Sequence, residues 1–450
     1  MRINKAIPSR FSSKEEPGLY RDKQGMFRIF LLILTIGAVF MFAFLFLQAN
    51  NFGIPGMGKI NIFFDRADKY MDFFDLVYYS KGYDFCGRPY FAYASPLYIL
   101  TLHYISALFP EANNKFSAEG RVIFVFFITV SLAVFLYAFV KLFRILKVST
   151  FNAAWFCLAF LCAYPVLFTV DRGNWSLLTS AILAVFMVKY TGGKPLSAAF
   201  LLGAAIALKY YPVIFVLIFI INKQFFEAAV CAAVAAVLIL APLSFFPGGL
   251  GGNLQLLMNG IAVYQKMPVT IIAELLGHNT SIYMLFDIPR TILNNSFNQN
   301  VSSLIQFNSG VQPAAYAVLL LCTAVSLIRK IKMHDILLLL TCGILLFPLF
   351  AGDYMITMIA MPAVYWMLKE PEDKIMPWLA GLYFICKRYI SFYNHFGNVS
   401  VTVQSVLNPL ILLLIIGYII LLRWEIIKSF YLNLTHGLFK KFPGIFLTNF

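Results

Sequence analysis

The side chains able to do chemistry sit in a few short segments of an otherwise apolar chain. The first is FFDRADKYMDFFDLVYYS, in which Asp65, Asp68, Asp72 and Asp75 are spaced by three, four and three residues. At about 100° per residue this spacing places all four on one face of a helix. Phe63, Phe64, Met71, Phe73, Phe74, Val77 and Tyr78 leave much of the rest apolar, the pattern of an amphipathic helix lying in a membrane interface. Such a face is either simply solvated, or it holds a carboxylate where a membrane-bound substrate meets water. Interfacial helices are normally basic, to suit anionic lipids, so an acidic one favours the second reading. Like charges so close repel one another, and one or more needs a cation, a metal or a proton.

Four further segments carry polar chemistry. Asp171-Arg172-Gly173-Asn174 has the composition of a tight turn, and it would equally offer Arg172 to a phosphate as a planar donor fork. Lys209 stands between two short apolar runs. A lysine there either snorkels to the interface or marks a site, because its charge is costly at membrane depth. ELLGHNTSIYMLFDIPR carries Glu274, His278, Asn279, Asp287 and Arg290; a lone histidine is more often a structural hydrogen-bonder than a catalyst. Asp353 and Tyr354 follow Phe350-Ala351-Gly352, where Asp353 suits either a helix cap or a substrate contact. No metal-ligand spacing, Walker loop, GxSxG or HExxH occurs, so no cofactor is expected, while a divalent metal on the aspartates stays open.

The elements that position these residues are membrane spans. Of 450 residues 61% are hydrophobic and 12% charged, against about 25% charged in soluble proteins. Apolar runs cover about 29–48, 121–143, 150–170, 175–190, 196–208, 210–221, 226–246, 311–328, 335–350, 354–368, 375–393 and 403–422. The pattern predicts an all-α polytopic membrane protein with about twelve transmembrane helices. Two of them are short and broken at Lys209-Tyr210-Tyr211-Pro212, because a run of about 12 residues cannot cross a core of about 30 Å. Residues 1–26 read as a cytoplasmic tail, 27–430 as one transmembrane domain with outer loops at about 49–120 and 247–309, and 431–450 as a second cytoplasmic tail. The first run reads as an uncleaved anchor.

The net charge of +15 belongs to orientation rather than to nucleic acid, because 22 of the 35 Lys and Arg residues fall in the two terminal segments and in alternate turns that would be cytoplasmic. The alternation requires that 91–109 does not span, and Ser95-Pro96 and His103 within it suit a re-entrant or interfacial helix. It then places Asp72, Arg172, Lys209, His278 and Asp353 on one face, the non-cytoplasmic one. The scattered cysteines contain no CxxC and predict no disulfide framework.

Three segments resemble the GT-C superfamily of integral membrane glycosyltransferases, nearest to glycosyltransferase family 87, the polyprenyl-phosphate-mannose-dependent mannosyltransferases. MDFFDLVYYS with Pro89-Tyr90 and Tyr93-Ala94-Ser95-Pro96-Leu97 is similar to the family's first outer loop. The stretch from Asp171-Arg172-Gly173-Asn174 to Lys209 and Pro212 is similar to its middle signature. GHNTSIYMLF resembles an Asn-x-Ser element of its second outer loop. Asp72 (before Phe73) and Asp75 (before Leu76, with Tyr79) both match the family's acidic position, so either is the base. FPLFAGDYMITMIAMP is similar to an element that often ends in His-Tyr, but here Asp353 precedes Tyr354.

The resemblance implies a GT-C-like fold and an inverting transfer of a mannose-like hexose from a polyprenyl-phosphate donor to a glycan or glycolipid acceptor; the lack of a cleaved signal, retention motif or long soluble domain is consistent with a bacterial inner membrane. Asp72 or Asp75 would be the general base. Lys209, Arg172, Arg290 and His278 would hold the donor phosphate, and Asp68, Asn174, Asn279, Asp353 and Tyr354 would contact substrate. A polysaccharide polymerase or ligase would lean on outer arginines and histidines. A secondary transporter would show midplane ion pairs and an internal repeat, and no repeat is apparent.

Overall fold

A computed structural model describes residues 24–49, 70–80, 94–265, 279–285, 302–348, 351–388, 391–393 and 400–441. Its helices are α1 (Gly25–Ala49), α2 (Met71–Ser80), α3 (Pro96–Leu108), α4 (Ala118–Ile145), α5 (Thr150–Leu161), α6 (Tyr164–Arg172), α7 (Ser176–Thr191), α8 (Pro195–Leu208), α9 (Val216–Ile221), α10 (Phe225–Ser244), α11 (Gly249–Gln265), α12 (Ser302–Leu327), α13 (Met333–Leu346), α14 (Ala360–Lys369), α15 (Met376–Phe384), α16 (Val403–Leu422) and α17 (Trp424–Lys441). Tight 3₁₀ turns at Tyr211–Phe215 and Asp353–Ile359 lead into α9 and α14. The chain is a multi-pass, helical, membrane-type protein. Four helices, α1, α4, α10 and α16, are long and apolar enough to cross a membrane, and the bent pair α5–α6 makes a fifth.

Burial follows sequence character. Every residue of α13, from Met333 to Leu346, is buried, as suits a helix apolar on all sides beyond its polar first turn. Small residues let α8 and α10 approach closely: a Cβ on Gly203 would come within 2.8 Å of the Cys231 carbonyl oxygen. α7 packs between α4 and α8 and ties to the second 3₁₀ turn through Ser180 and Thr357, whose hydroxyls are 3.0 Å apart. At one end of the bundle Arg423 binds Asp335 at 2.8 Å and Glu370 at 2.5 Å. Trp366 Nε1 donates to Asp335 at 2.8 Å, and Lys332 and His334 close on Glu370. This cluster links the ends of α13, α14 and α16.

Several expectations change. The run 150–170 is bent by 44° at Cys162-Ala163, where Ala163 is extended and Pro165 starts a new helix. The run 375–393 stops as helix at Phe384, because Lys387 turns back to cap the helix end, its ammonium donating to the carbonyls of Leu382, Tyr383 and Ile385 at 2.6, 3.3 and 2.8 Å. A short antiparallel pair, β1 (Ser391–Tyr393) with β2 (Ser400–Thr402), follows in an otherwise all-helical fold. The second long loop contains α11, and the C-terminal tail is helical to Lys441. At 13 residues α3 is too short to cross a core of about 30 Å.

Of the four aspartates, Asp72 and Asp75 lie on α2. Tyr70 takes φ +62°, a left-handed conformation, and α2 starts after it. Asp65, Asp68, Glu274, His278, Asp287 and Arg290 lie outside the described residues.

Candidate active site

α2 is seated by aromatic packing. Phe73 and Phe74 are buried, and Phe73 lies 5.5 Å from the ring of Phe124 and 5.3 Å from that of Phe127, both on α4. The Tyr70 N–H donates to the Asp171 carbonyl at 2.7 Å, so the start of α2 is docked on the end of α6. This puts Asp72, in the first turn of α2, against the Asp171–Asn174 turn.

That turn closes α6 with a left-handed glycine, Gly173 at φ +64°, and the Asn174 N–H reaches back to the Thr169 carbonyl at 3.1 Å. The pattern is a common helix ending. A Cβ at Gly173 would stand 2.8 Å from Phe73 Cβ and 3.0 Å from Phe124 Cε2, so the close approach of α2 also requires glycine. The closed turn aims two donors at one carboxylate. Arg172 Nη2 pairs with Asp72 Oδ1, and Asn174 Nδ2 donates to Asp72 Oδ2 at 2.6 Å. Asn174 is itself oriented, its Oδ1 accepting from the Ser176 N–H at 2.9 Å.

Lys209 completes this station. α8 ends at Leu208 and Lys209 is extended, at φ −148° and ψ 131°. Among the described residues its ammonium makes no hydrogen bond, and the Asp72 carboxylate is the charge that acts on it. Ser95 Oγ donates to the Ala207 carbonyl, fastening α3 to this break. Tyr98, also on α3, reaches the Asp72 carbonyl at 3.4 Å. Asp75 lies one turn along α2 from Asp72 and is partly buried. The carboxylate is partly solvent-accessible and takes a contact from a donor on each oxygen, with one more cation beside it. Such an arrangement can accept a proton from a hydroxyl on a lone pair that Arg172 and Asn174 leave unused.

Asp353 belongs to a second polar station. It is fully buried and does not cap its helix; instead its Oδ2 accepts from the Tyr164 hydroxyl at 2.7 Å. Burial pushes its carboxyl up to about 6, against the pull of Arg388, Tyr164, Gln404 and Lys387. Arg388 stacks 5.8 Å above the Phe168 ring. Tyr354 packs with Tyr164 and Phe168, and its carbonyl accepts from Thr169 Oγ1 at 3.3 Å. Asn279 is buried and bridges to Gly352; its Oδ1 accepts from the N–H groups of Ser281 and Ala351 at 3.0 and 2.9 Å, which fixes the approach to Asp353. The two stations sit at opposite ends of α6, about 12 Å apart by helical rise.

The structure therefore gathers Asp72, Arg172, Asn174 and Lys209, and holds Asn279, Asp353 and Tyr354 apart from them. Tyr98, Tyr164, Lys387 and Arg388 escaped the sequence reading. The two adjacent cations inside the apolar run 375–393 were the available signal. Among the described residues no three His, Cys, Asp or Glu side chains come together as a metal site. No curated protein matches the chain. Residues 116–352 match the model of glycosyltransferase family 87, a segment that carries Arg172, Asn174, Lys209 and Asn279.

Proposed function

The chain belongs to glycosyltransferase family 87, and from that footing we propose that it transfers a mannose-like hexose from a polyprenyl-phosphate carrier to a hydroxyl of a glycan or glycolipid. As a glycosyltransferase it needs an acceptor, a base and a way to stabilise the leaving group. The observation that carries the reading is Asp72, held by Arg172 and Asn174 with Lys209 beside it.

Asp72 takes the proton of the acceptor hydroxyl as that oxygen attacks the anomeric carbon. The bond from that carbon to the phosphate oxygen breaks, and its electron pair leaves with the polyprenyl phosphate. Lys209 and Arg172 stabilise the charge that develops there, joined by Arg290 and His278 from the second outer loop. Attack opposite the leaving group inverts the anomeric centre. In this reading all twelve apolar runs are membrane elements, the short ones tilted or paired, the termini are cytoplasmic, and the site faces the other side of a bacterial inner membrane.

The test uses purified full-length protein in lipid nanodiscs with a membrane-lipid extract as acceptor source. Radiolabelled polyprenyl-phosphate mannose, glucose and galactose are supplied in turn. Transfer from one of them, with the product of opposite anomeric configuration, is the expected outcome. No transfer from any, or retention of configuration, removes this mechanism and leaves the polymerase or ligase and the transporter.

A further inference from the structure

The base and the cation of the site ride on different elements. Asp72 is in the first turn of α2, and Lys209 is in the extended break after α8. Tertiary contacts therefore set their separation, and one short helix is tied to both. Ser95, Tyr98, Leu102 and Ser106 are buried along one face of α3, while Thr101 and Tyr104 are exposed on the other.

Ser95 stands at the N-cap of α3. A serine there usually turns its oxygen onto the N–H groups of its own first turn, but this one makes no such bond. Its Oγ donates instead to the Ala207 carbonyl, 112 positions away. Ala207 is in the last turn of α8, where carbonyls lack partners within their own helix, and Lys209 is two residues on. One turn along α3, the Tyr98 hydroxyl donates to the Asp72 carbonyl at 3.4 Å. The Tyr98 ring lies 3.9 Å, centroid to centroid, from that of Trp175, which follows Asn174, the residue whose amide holds the Asp72 carboxylate. Farther along, His103 Nδ1 is 2.7 Å from the carbonyl of Ser80, the last residue of α2. A carbonyl only accepts, so that nitrogen carries the proton. Ile99 seats α3 itself, packing with Leu243, Phe246 and Leu257. α3 thus holds α2 at both ends and α8 next to its cation.

In a direct displacement the attacking and departing oxygens lie on opposite sides of one anomeric carbon. A base and a cation that serve them must keep a fixed separation, and a misplacement of about 1 Å can cost about a hundredfold in rate. Residues that touch neither substrate nor charge can therefore govern turnover. We propose that α3 is a bracket that sets the spacing between Asp72 and Lys209, with Ser95 and Tyr98 as positioning residues acting through those two groups. The proposal rests on the glycosyltransferase reading.

The test compares Ser95→Thr with Ser95→Val as full chains in nanodiscs, with any polyprenyl-phosphate hexose that wild type uses. The two side chains have the same shape and only threonine keeps the hydroxyl, so crowding is common to both. The expected result is a kcat per folded molecule about tenfold lower for Ser95→Val than for Ser95→Thr. The same pair is then made beside Lys209→Met, where the difference should shrink to within about twofold, because residues that act through one group are not additive. Thr101→Ala, on the exposed face of α3, should turn over like wild type. Should Ser95→Val fail to fold, Tyr98→Phe carries the same comparison. It keeps the ring on Trp175 and removes one weak bond, and a loss of about threefold is expected, again abolished beside Lys209→Met.

Equal kcat for the threonine and valine variants, with any loss confined to Tm or yield, makes the contact merely structural and overturns the bracket. So does a difference that persists undiminished beside Lys209→Met, or an equal loss for Thr101→Ala. Wild type that transfers from no polyprenyl-phosphate hexose overturns the function and the bracket with it, whereas active wild type with any of those three results overturns the bracket alone.

Discussion

Replacing Asp72 by Asn removes a negative charge and keeps the side chain's shape, and its consequences can be worked out atom by atom. One carboxylate oxygen is paired with Arg172 and the other accepts from Asn174 Nδ2 at 2.6 Å. An amide at position 72 must turn its NH₂ toward one of these donors, so one contact becomes donor against donor. Asn174 cannot rotate its amide in response without losing the 2.9 Å bond from the Ser176 N–H. The side chains are 21% exposed for Asp72 and 15% for Arg172. The structural penalty therefore falls between that of a surface pair, about 0–1 kcal/mol, and that of a buried one, about 3–5 kcal/mol; about 1–2 kcal/mol is the discounted expectation, which a folded bundle tolerates. Loss of the base is larger, about 10²–10⁴-fold in rate, or about 3–5 kcal/mol of barrier. Donor affinity should hold or tighten, because Arg172 loses its counter-charge. The assay is transfer from radiolabelled polyprenyl-phosphate mannose, with donor binding measured in parallel, for Asp72→Asn and Asp75→Asn. A fall of at least a hundredfold for Asp72→Asn, with Asp75→Asn within tenfold of wild type, is expected. The reverse pattern would move the base to Asp75, and a double variant that still turns over would refute carboxylate catalysis here.

Other consequences follow from the same contacts. Gly173→Ala forces a side chain into a left-handed residue, costing about 1–2 kcal/mol, and into the Phe73–Phe124 contact, about 1–3 kcal/mol more; a lowered Tm and lost transfer are expected, and an unchanged Tm would contradict the packing. Asp353 is held near 6, above its ordinary 3.8, so its contribution to stability is full below about 3.8 and is lost as pH rises through about 6. Asp353→Asn should remove that slope, worth about 3 kcal/mol in total, in thermal melts taken from pH 4 to 7; parallel slopes in the two proteins would exclude the effect. Arg423→Ala strands the fully buried Asp335 and should destabilise by about 3–5 kcal/mol, with transfer per folded molecule retained; a melt within 1–2 °C of wild type would count against that cluster as a structural lock.

Much of the architecture can be read from the amino-acid sequence because hydropathy is a local property. Helices fall on the apolar runs, though 375–393 stops as helix at Phe384 and 150–170 is bent, and the break at Lys209-Tyr210-Tyr211-Pro212 falls where the lysine and proline interrupt them. Alternating basic turns placed Asp72, Arg172, Asn174 and Lys209 on one face, and the structure brings them into one station. Charge spacing is a local property too: Asp72 and Asp75, three residues apart, lie one turn apart on α2. Only the tertiary structure joins Asp72 to Arg172 across 100 positions and Tyr164 to Asp353 across 189. It alone turns Lys387 and Arg388 inward. Periodicity determines which face of a segment is apolar; which side chains meet depends on how separate helices pack and bend against one another, and no single segment carries that information.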